Sequence, residues 1–578
     1  MYFGGAYFLY KDVFDRTPAI SELQSLLQDL SRVEAVSVLS QLNAGLRLVK
    51  REREAAAKLQ QDLAGAFFDD ETIHRFKERF GPVHMGDRPV FHAPQVLNVI
   101  RLVVQHSTGS EDPATDTTAR YKLGTACLMM NDLMVTAEEE AVIASNAPEE
   151  QRMRALMTQM FGPFEVVNTA AITHIIYRSR IMFHVLLNDK RVVDRITGEC
   201  EGFDFAEEFS RIAGLPLSHW LFLVFGFYAY LSHYLTPDGT RHPEFLAIDR
   251  TKFRGESRIT EFDFGAVLRT LSIQVEELEA MLEQPGPTDW RFDFVPFRSR
   301  PLVEIRPDKF VCPDIGFLIE KMHSGVYWAI FDGLSKVGRW KLFKAWGILF
   351  EEYVNWFLSE RRFEFEPRPR WADGSECFDG AISAGVSFVP MEYKGGFLKV
   401  GARYSGMTAP LESDLDLKIG EGCQQLARKI ETLFNADPRK RKELRDIPLT
   451  SVTRVIPVLV VQDHILRGPF INWLLNKNFN NLLDRAQLRA GVTVDSLNVV
   501  GIHELETMAE STDGGQFDML QGLQLRCFRD PEMRSELHNF LMMIPGYGEG
   551  KSERVENILE KQWKKIEQYM FGTHDKAV

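Results

Sequence analysis

Up to residue 290 the apolar and polar positions are spaced as helix. Thr17 and Pro18 ahead of AISELQSLLQDL supply a cap and a proline at the first helical position. Val36 to Phe68 runs long, with few breakers and many Ala, Leu, Gln and Lys/Arg. EEEAVIASN and EEQRMRALMTQMF continue the pattern, while residues 107–118 (STGSEDPATDTT) and 236–245 (TPDGTRHPEF) interrupt it with polar and turn residues. No repeat period or low-complexity tract occurs.

The texture changes at EQPGPTDW, residues 283–290, because Pro285-Gly286-Pro287 cannot continue a helix. RPLVEI and KFVCPD read as short strands about a turn at Arg306-Pro307-Asp308, and GFLIEKMHSGVYWAIFDGL reads as helix. From Lys341 the order is helix (341–361), strand-like ECFDGAIS and SFVPMEYKG, helix (420–434), buried strand (453–461), then SLNVVGIHEL running from strand into a short helix. This pattern predicts four parts. A mainly α-helical N-terminal region, 1–290, would sense, gate or bind a protein partner or a second copy. A connector of strands and helix spans 291–340. An α/β domain, 341–510, has a central mixed sheet flanked by helices. A helical tail, 511–578, is clearest in GKSERVENILEKQWKKIEQYM.

Composition changes this picture little. With 578 residues and 45% hydrophobic content, three or four globular units of ~150 residues are expected. The formal net charge of -13 argues against a protein that coats polyanions, yet leaves room for a local basic surface. The six cysteines form no CxxC pair, which disfavours a thiolate zinc site and fits a reducing, cytoplasmic setting. MYFGGAYFLYKDVFD lacks the basic start of a signal peptide. Residues 212–235 carry no formally charged side chain and are long enough to span a bilayer. Ser218, His219, Ser232, His233 and a break near Pro216 instead favour a buried core helix; a membrane-associated effector is the alternative.

Candidate chemistry gathers in ECFDGAISAGVSFVPMEYKGG, residues 376–396. On a strand, Glu392 and Lys394 share a face and Tyr393 takes the other. If Gly385 and Val386 are the central residues of a type II′ turn, Asp379 falls directly opposite Glu392. Two adjacent carboxylates repel, and a divalent ion preferring hard oxygen ligands resolves the repulsion. Taken alone, a strand ExK is common as a solvated face, and Asp before Gly is common in turns. Here the acids sit among Phe378, Ala381, Ile382, Phe388, Val389 and Met391, where a solvated edge would carry more charge.

This constellation resembles the PD-(D/E)XK nuclease superfamily, over roughly residues 340–510. The matching positions are Asp379 and the E-Y-K of Glu392, Tyr393 and Lys394, without the leading proline, since Phe378 precedes Asp379. GILFEEYV, residues 347–354, resembles the pattern that gives many relatives an acid on a preceding helix. That makes Glu351 the third acid and Glu352 the runner-up; a solvent-facing glutamate pair is the plainer alternative. GCQQLARKI offers Gln424 and Gln425, of which Gln425 fits the relatives' water- or phosphate-positioning glutamine. The resemblance implies a restriction-endonuclease-like fold and Mg²⁺ (Mn²⁺ substituting) held by Asp379, Glu392 and Glu351. It implies hydrolysis of DNA phosphodiesters, with RNA as another substrate, by an endonuclease that serves in bacterial defence against foreign DNA. A catalytically inactive nuclease-like module, binding nucleic acid or assisting assembly, is the alternative.

Other features are weaker. Lys399, Arg403, Tyr404 and Lys418, and the mixture of Arg361, Arg362, Arg368 and Arg370 with Phe363, Phe365 and Trp371, are candidates for phosphate and base contacts. The run 438–442 reads as a solvated basic loop. GYGEGKS, residues 546–552, is one residue short of a P-loop, and HELE, residues 503–506, lacks the second histidine of a zinc protease.

Overall fold

The computed structural model describes residues 7–48, 53–80, 88–134, 146–149, 151–152, 170–233, 247–251, 260–283, 290–291, 293–361, 363–399, 408–463, 466, 468, 470–548, 557, 560, 561 and 564. Most of the two segments EEEAVIASN and EEQRMRALMTQMF, the break at 236–245, the Pro285-Gly286-Pro287 break and most of the tail beyond 548 lie outside them.

The first helices, among them Arg32–Leu48, Ala93–His106 and Thr117–Leu133, pack their apolar faces into one core. Ile273, Val303, Val311 and Phe317 enter the same core. They belong to or follow a small sheet of β1 (Ile248–Asp249), β2 (Ser272–Gln274), β3 (Leu302–Arg306) and β4 (Lys309–Val311), in the order β1-β4-β3-β2. β3 runs parallel to β2 and antiparallel to β4, whose hairpin turns at Asp308 with φ 60°. The predicted boundary at 290 is therefore not a division of the fold. The strands beyond it bury both faces, Val303 and Val311 in the N-terminal helical core and Leu302 and Phe310 in the core of the second half.

Six further elements frame the second half. They are α1 (Ala170–Arg180), α2 (Lys190–Glu199), α3 (Leu217–His233), α4 (Lys336–Ser359), α5 (Glu421–Leu433) and α6 (Ile502–Asp513). α4 starts on Ser335, whose Oγ accepts the Gly338 N–H at 3.4 Å, and buries Trp346, Phe350, Tyr353 and Phe357. Phe343 on the same helix is half-exposed and stacks on Trp340. One continuous core holds residues of α1, α3, α4 and α6 together, so the helices between Ala170 and His233 are built into the α/β half. No single helix among the described residues is long and apolar enough to cross a membrane. Helix Phe205–Ala213 and Leu217–Ser232 pass that test only as a pair bent by 63°, and Trp220, Leu223, Val224 and Phe227 are buried inside the protein.

The main sheet is mixed and covered by helices on both faces, as the order of elements predicts. β5 (Phe365–Pro367), β6 (Gly380–Ala384) and β7 (Ser387–Lys394) are antiparallel neighbours. β9 (Val458–Val461) runs parallel to β7, and β11 (Asn498–Gly501) runs parallel to β9. β8 (Arg454–Val455) and β10 (Thr493–Val494) prolong the sheet beside the start of β7. The single strand expected over 453–461 is split at Ile456-Pro457, where proline has no N–H for the ladder.

The β6–β7 hairpin has the predicted register, from Ala384 opposite Ser387 to Gly380 opposite Met391. Gly385 takes φ 60° at the first central position, where glycine is free of the Cβ penalty. A Cβ there would meet nothing within 4 Å. Gly385→Ala is thus expected to cost only the backbone strain, about 1–2 kcal/mol, read as a lower urea midpoint with unchanged slope.

Candidate active site

Asp379 lies one residue before β6, where the regular pairing with β7 stops at Gly380 opposite Met391. Its N–H donates to the Met391 carbonyl at 3.1 Å, and its Oδ2 accepts the Tyr393 N–H at 2.6 Å. Side-chain alternation does the rest. Glu392 and Lys394 face α5, in the core that holds Leu459 and Leu426. Tyr393 faces α4, where its hydroxyl donates to Asn355 Oδ1 at 3.2 Å.

Lys394 Nζ donates to Gln425 Oε1 at 2.8 Å, and Gln425 in turn donates to Glu421 at 3.3 Å. The predicted lysine and glutamine are therefore in contact, while Gln424 points to solvent. The approach of α5 to β7 requires Gly422. A Cβ there would come within 2.8 Å of both Lys394 Cε and Leu459 Cδ1. Gly422→Ala should push the lysine stem aside and slow any reaction that depends on it, by up to about 10²-fold; initial rates at saturating substrate check this.

Glu392 is 2% exposed, and burial, with the nearby Asp379 carboxylate adding to it, pushes its pKa up to about 7; Lys429 and Lys394 oppose the shift. Lys429, one helical turn beyond Gln425 on α5, forms an ion pair with Glu392 Oε1. Asp379 is also held above the usual carboxylate range, mainly by burial, with Glu351 adding repulsion and the Tyr393 N–H opposing. The fold thus favours the protonated acid at Glu392. That contribution is complete below the unfolded pKa of ~4.3 and is lost as pH rises through about 7. In chelator, Glu392→Gln should melt above the wild type at pH 8, and the gap should close towards pH 4.

No family model, no curated protein and no solved structure matches this chain.

Glu351 sits on α4, and its hydrogen bonds go elsewhere than to Asp379 or Glu392. Its carboxylate accepts from Arg195 of α2 at 3.1 and 3.0 Å and pairs with Arg368; Glu352 pairs with the same two arginines. Arg368 has φ 52° and donates its N–H to the Asp379 carbonyl at 3.1 Å, so the clamp is tied to the start of β6. Glu351 is near enough to raise the Asp379 pKa but is held in a two-arginine clamp.

The cations expected to meet nucleic acid are mostly engaged within the protein. Arg361 pairs with Asp513 at 2.7 Å, Arg370 donates to the Gly374 carbonyl, and Lys418 donates to the Phe397 carbonyl. Lys399 remains largely exposed, 3.7 Å from Asp414. Arg362, Arg403 and Tyr404 lie outside the described residues. Sequence reasoning missed Lys429, Arg195 and the role of Arg368. Lys429 had a signal, its i+4 spacing from Gln425 on one helix face. Arg195 had none, since it meets Glu351 across 156 residues of chain.

Proposed function

We propose that the chain is a metal-dependent nuclease whose reacting groups are Asp379, Glu392 and Lys394. The observation that carries this reading is the end of the β6–β7 hairpin, where a buried Glu392 and a half-buried Asp379 lie close enough for one carboxylate to raise the pKa of the other, with a lysine two residues on. The donor set fits a hard divalent ion such as Mg²⁺, with Mn²⁺ as a substitute. Both carboxylates are destabilised as anions where they stand, and a divalent cation reverses that destabilisation. Asp379 and Glu392 would hold the ion. When bound, it supplies positive charge against the phosphate and makes water a better nucleophile.

The chain's own groups do the remaining work. Lys394, oriented by Gln425, offers an ammonium to the attacking water or to the charge that develops on the phosphate. Lys429 neutralises Glu392 before the ion arrives and must release it, or share it, when the ion binds. Glu351 acts on Asp379 through space from within its arginine clamp. The substrate proposed is DNA, cut internally, and defence against foreign DNA is the setting that the nuclease resemblance suggests.

The Lys429–Glu392 pair favours a second reading, a nuclease-like module that binds without cutting, because an internal cation already satisfies one acid. Incubating the purified chain with supercoiled plasmid, linear duplex and RNA, in Mg²⁺ or Mn²⁺ and in chelator, separates the two. Ion-dependent nicking supports the nuclease. Retention of nucleic acid with no cleavage under any ion supports the binding module.

A further inference from the structure

The HELE run lacks a zinc protease's second histidine in sequence, yet the fold supplies a histidine from elsewhere. α6 packs against α1, and His503 and Glu506 meet His174 in the interior. His174 Nδ1 lies 2.8 Å from His503 Nδ1 and 4.0 Å from Glu506 Oε2. One donor atom from each of the three residues falls within 4.8 Å of the others, and all three side chains are buried. A tetrahedral site with bonds of ~2.1 Å needs donor atoms about 3.4 Å apart, so small opposite shifts from these separations suffice.

The surroundings are those that metal ligands require. A ligating histidine is usually oriented by a hydrogen bond from its other ring nitrogen to a carboxylate. His174 Nε2 has that partner, Glu510 Oε2 at 3.2 Å. Glu506 Oε1 accepts the Tyr353 hydroxyl at 2.6 Å and Arg178 Nε at 2.9 Å, leaving Oε2, which Arg178 Nη2 reaches at 2.8 Å, as the oxygen nearer His174. Glu510 Oε1 is buried and has no hydrogen-bond partner among the described residues, and its carboxylate lies at the ring edge of His174 away from Nδ1. The fixed charges leave one negative charge for a cation to meet. Arg178 offsets one of the two glutamates, and the second glutamate faces the histidine pair.

We propose that His174, His503 and Glu506 bind one divalent transition-metal ion of zinc's class, stapling α1 to α6. Two imidazole nitrogens and a carboxylate oxygen suit zinc, whereas magnesium and calcium prefer oxygen throughout. The ion takes the place of the proton between the two Nδ1 atoms. His503 then carries its ring proton on Nε2, and any extra proton on the pair leaves to solvent. The site is enclosed by the core, so its role is structural. It ties the helical region preceding the sheet to the helix that follows the last strand.

The test uses the full chain with Zn²⁺ alone and Co²⁺ alone, measuring bound metal per chain and the X-ray absorption of the bound ion. One Zn²⁺ per chain with two imidazole scatterers is expected. It should persist in the Asp379→Asn, Glu392→Gln double variant, which disables the separate oxygen site. Glu510→Gln, which keeps the three ligands, should weaken Zn²⁺ binding by about 10–100-fold, and His503→Ala should weaken it further. Absence of bound Zn²⁺ in the wild type, absorption without imidazole, or equal affinity in wild type, Glu510→Gln and His503→Ala would each overturn the proposal. The absorption spectrum of the wild type decides the matter even where a variant fails to fold.

Discussion

Lys394→Ala is expected to lower the rate of phosphodiester cleavage by about 10²–10³-fold, the loss typical when one preorganised donor to developing charge is removed. The lysine projects from the last residue of β7 onto Gln425, and no other lysine or arginine among the described residues hydrogen-bonds that glutamine. Lys429 cannot replace it, because its ammonium is committed to Glu392. The side chain is only partly buried, so its truncation should leave the fold intact. Melting curves check folding, and single-turnover rates in saturating Mg²⁺ check chemistry. A variant rate within twofold of wild type would place the reaction elsewhere.

Asp314→Ala should be the most destabilising change considered, costing about 3–5 kcal/mol. The Asp314 side chain is fully buried and accepts from Arg47 Nε at 3.1 Å and Nη2 at 2.7 Å. It also caps the helix Ile315–Glu320 by accepting the Gly316 N–H at 2.7 Å. Truncation removes the cap and leaves the Arg47 guanidinium in the interior without its carboxylate. Because Arg47 belongs to helix Arg32–Leu48, this pair joins the first helical core to the segment that leads into the sheet. Urea unfolding should show the loss in its first transition, and Asp314→Asn, which keeps the cap oxygen, should lose less.

What could be read from the sequence was local. The β6–β7 register followed from one glycine, a two-residue turn and the alternation of side chains, down to Gly380 opposite Met391; Asp379, expected directly opposite Glu392, instead gives its N–H to the Met391 carbonyl, one residue out of that register. The β3–β4 hairpin followed from Arg306-Pro307-Asp308 in the same way. What could not be read depended on distant chain. The pairing of β3 with β2 dissolved the boundary at 290, and nothing in either strand alone specifies that partner. Glu351 was singled out by the likeness of GILFEEYV to the relatives' helix pattern, but its clamp comes from Arg195, 156 residues earlier. Arg361 and Arg370 read as a basic surface because their partners, Asp513 and the Gly374 carbonyl, are fixed only by the folded backbone.

For the proposed reaction to proceed, some of these contacts must change. Lys429 and the two arginines hold three of the acids nearest the sheet's end in internal ion pairs. If the proposed divalent ion binds there, it competes first with Lys429, the one cation among the described residues paired with Glu392.

Crystals soaked in Mn²⁺ and measured at the manganese absorption edge locate the ion without any assumption about substrate. The expected result is an anomalous peak between the Asp379 and Glu392 carboxylates, with Lys394 beside it and the Lys429–Glu392 pair loosened. A fully occupied manganese site elsewhere, with no peak between those two carboxylates, would contradict the assignment of this hairpin as the reacting centre.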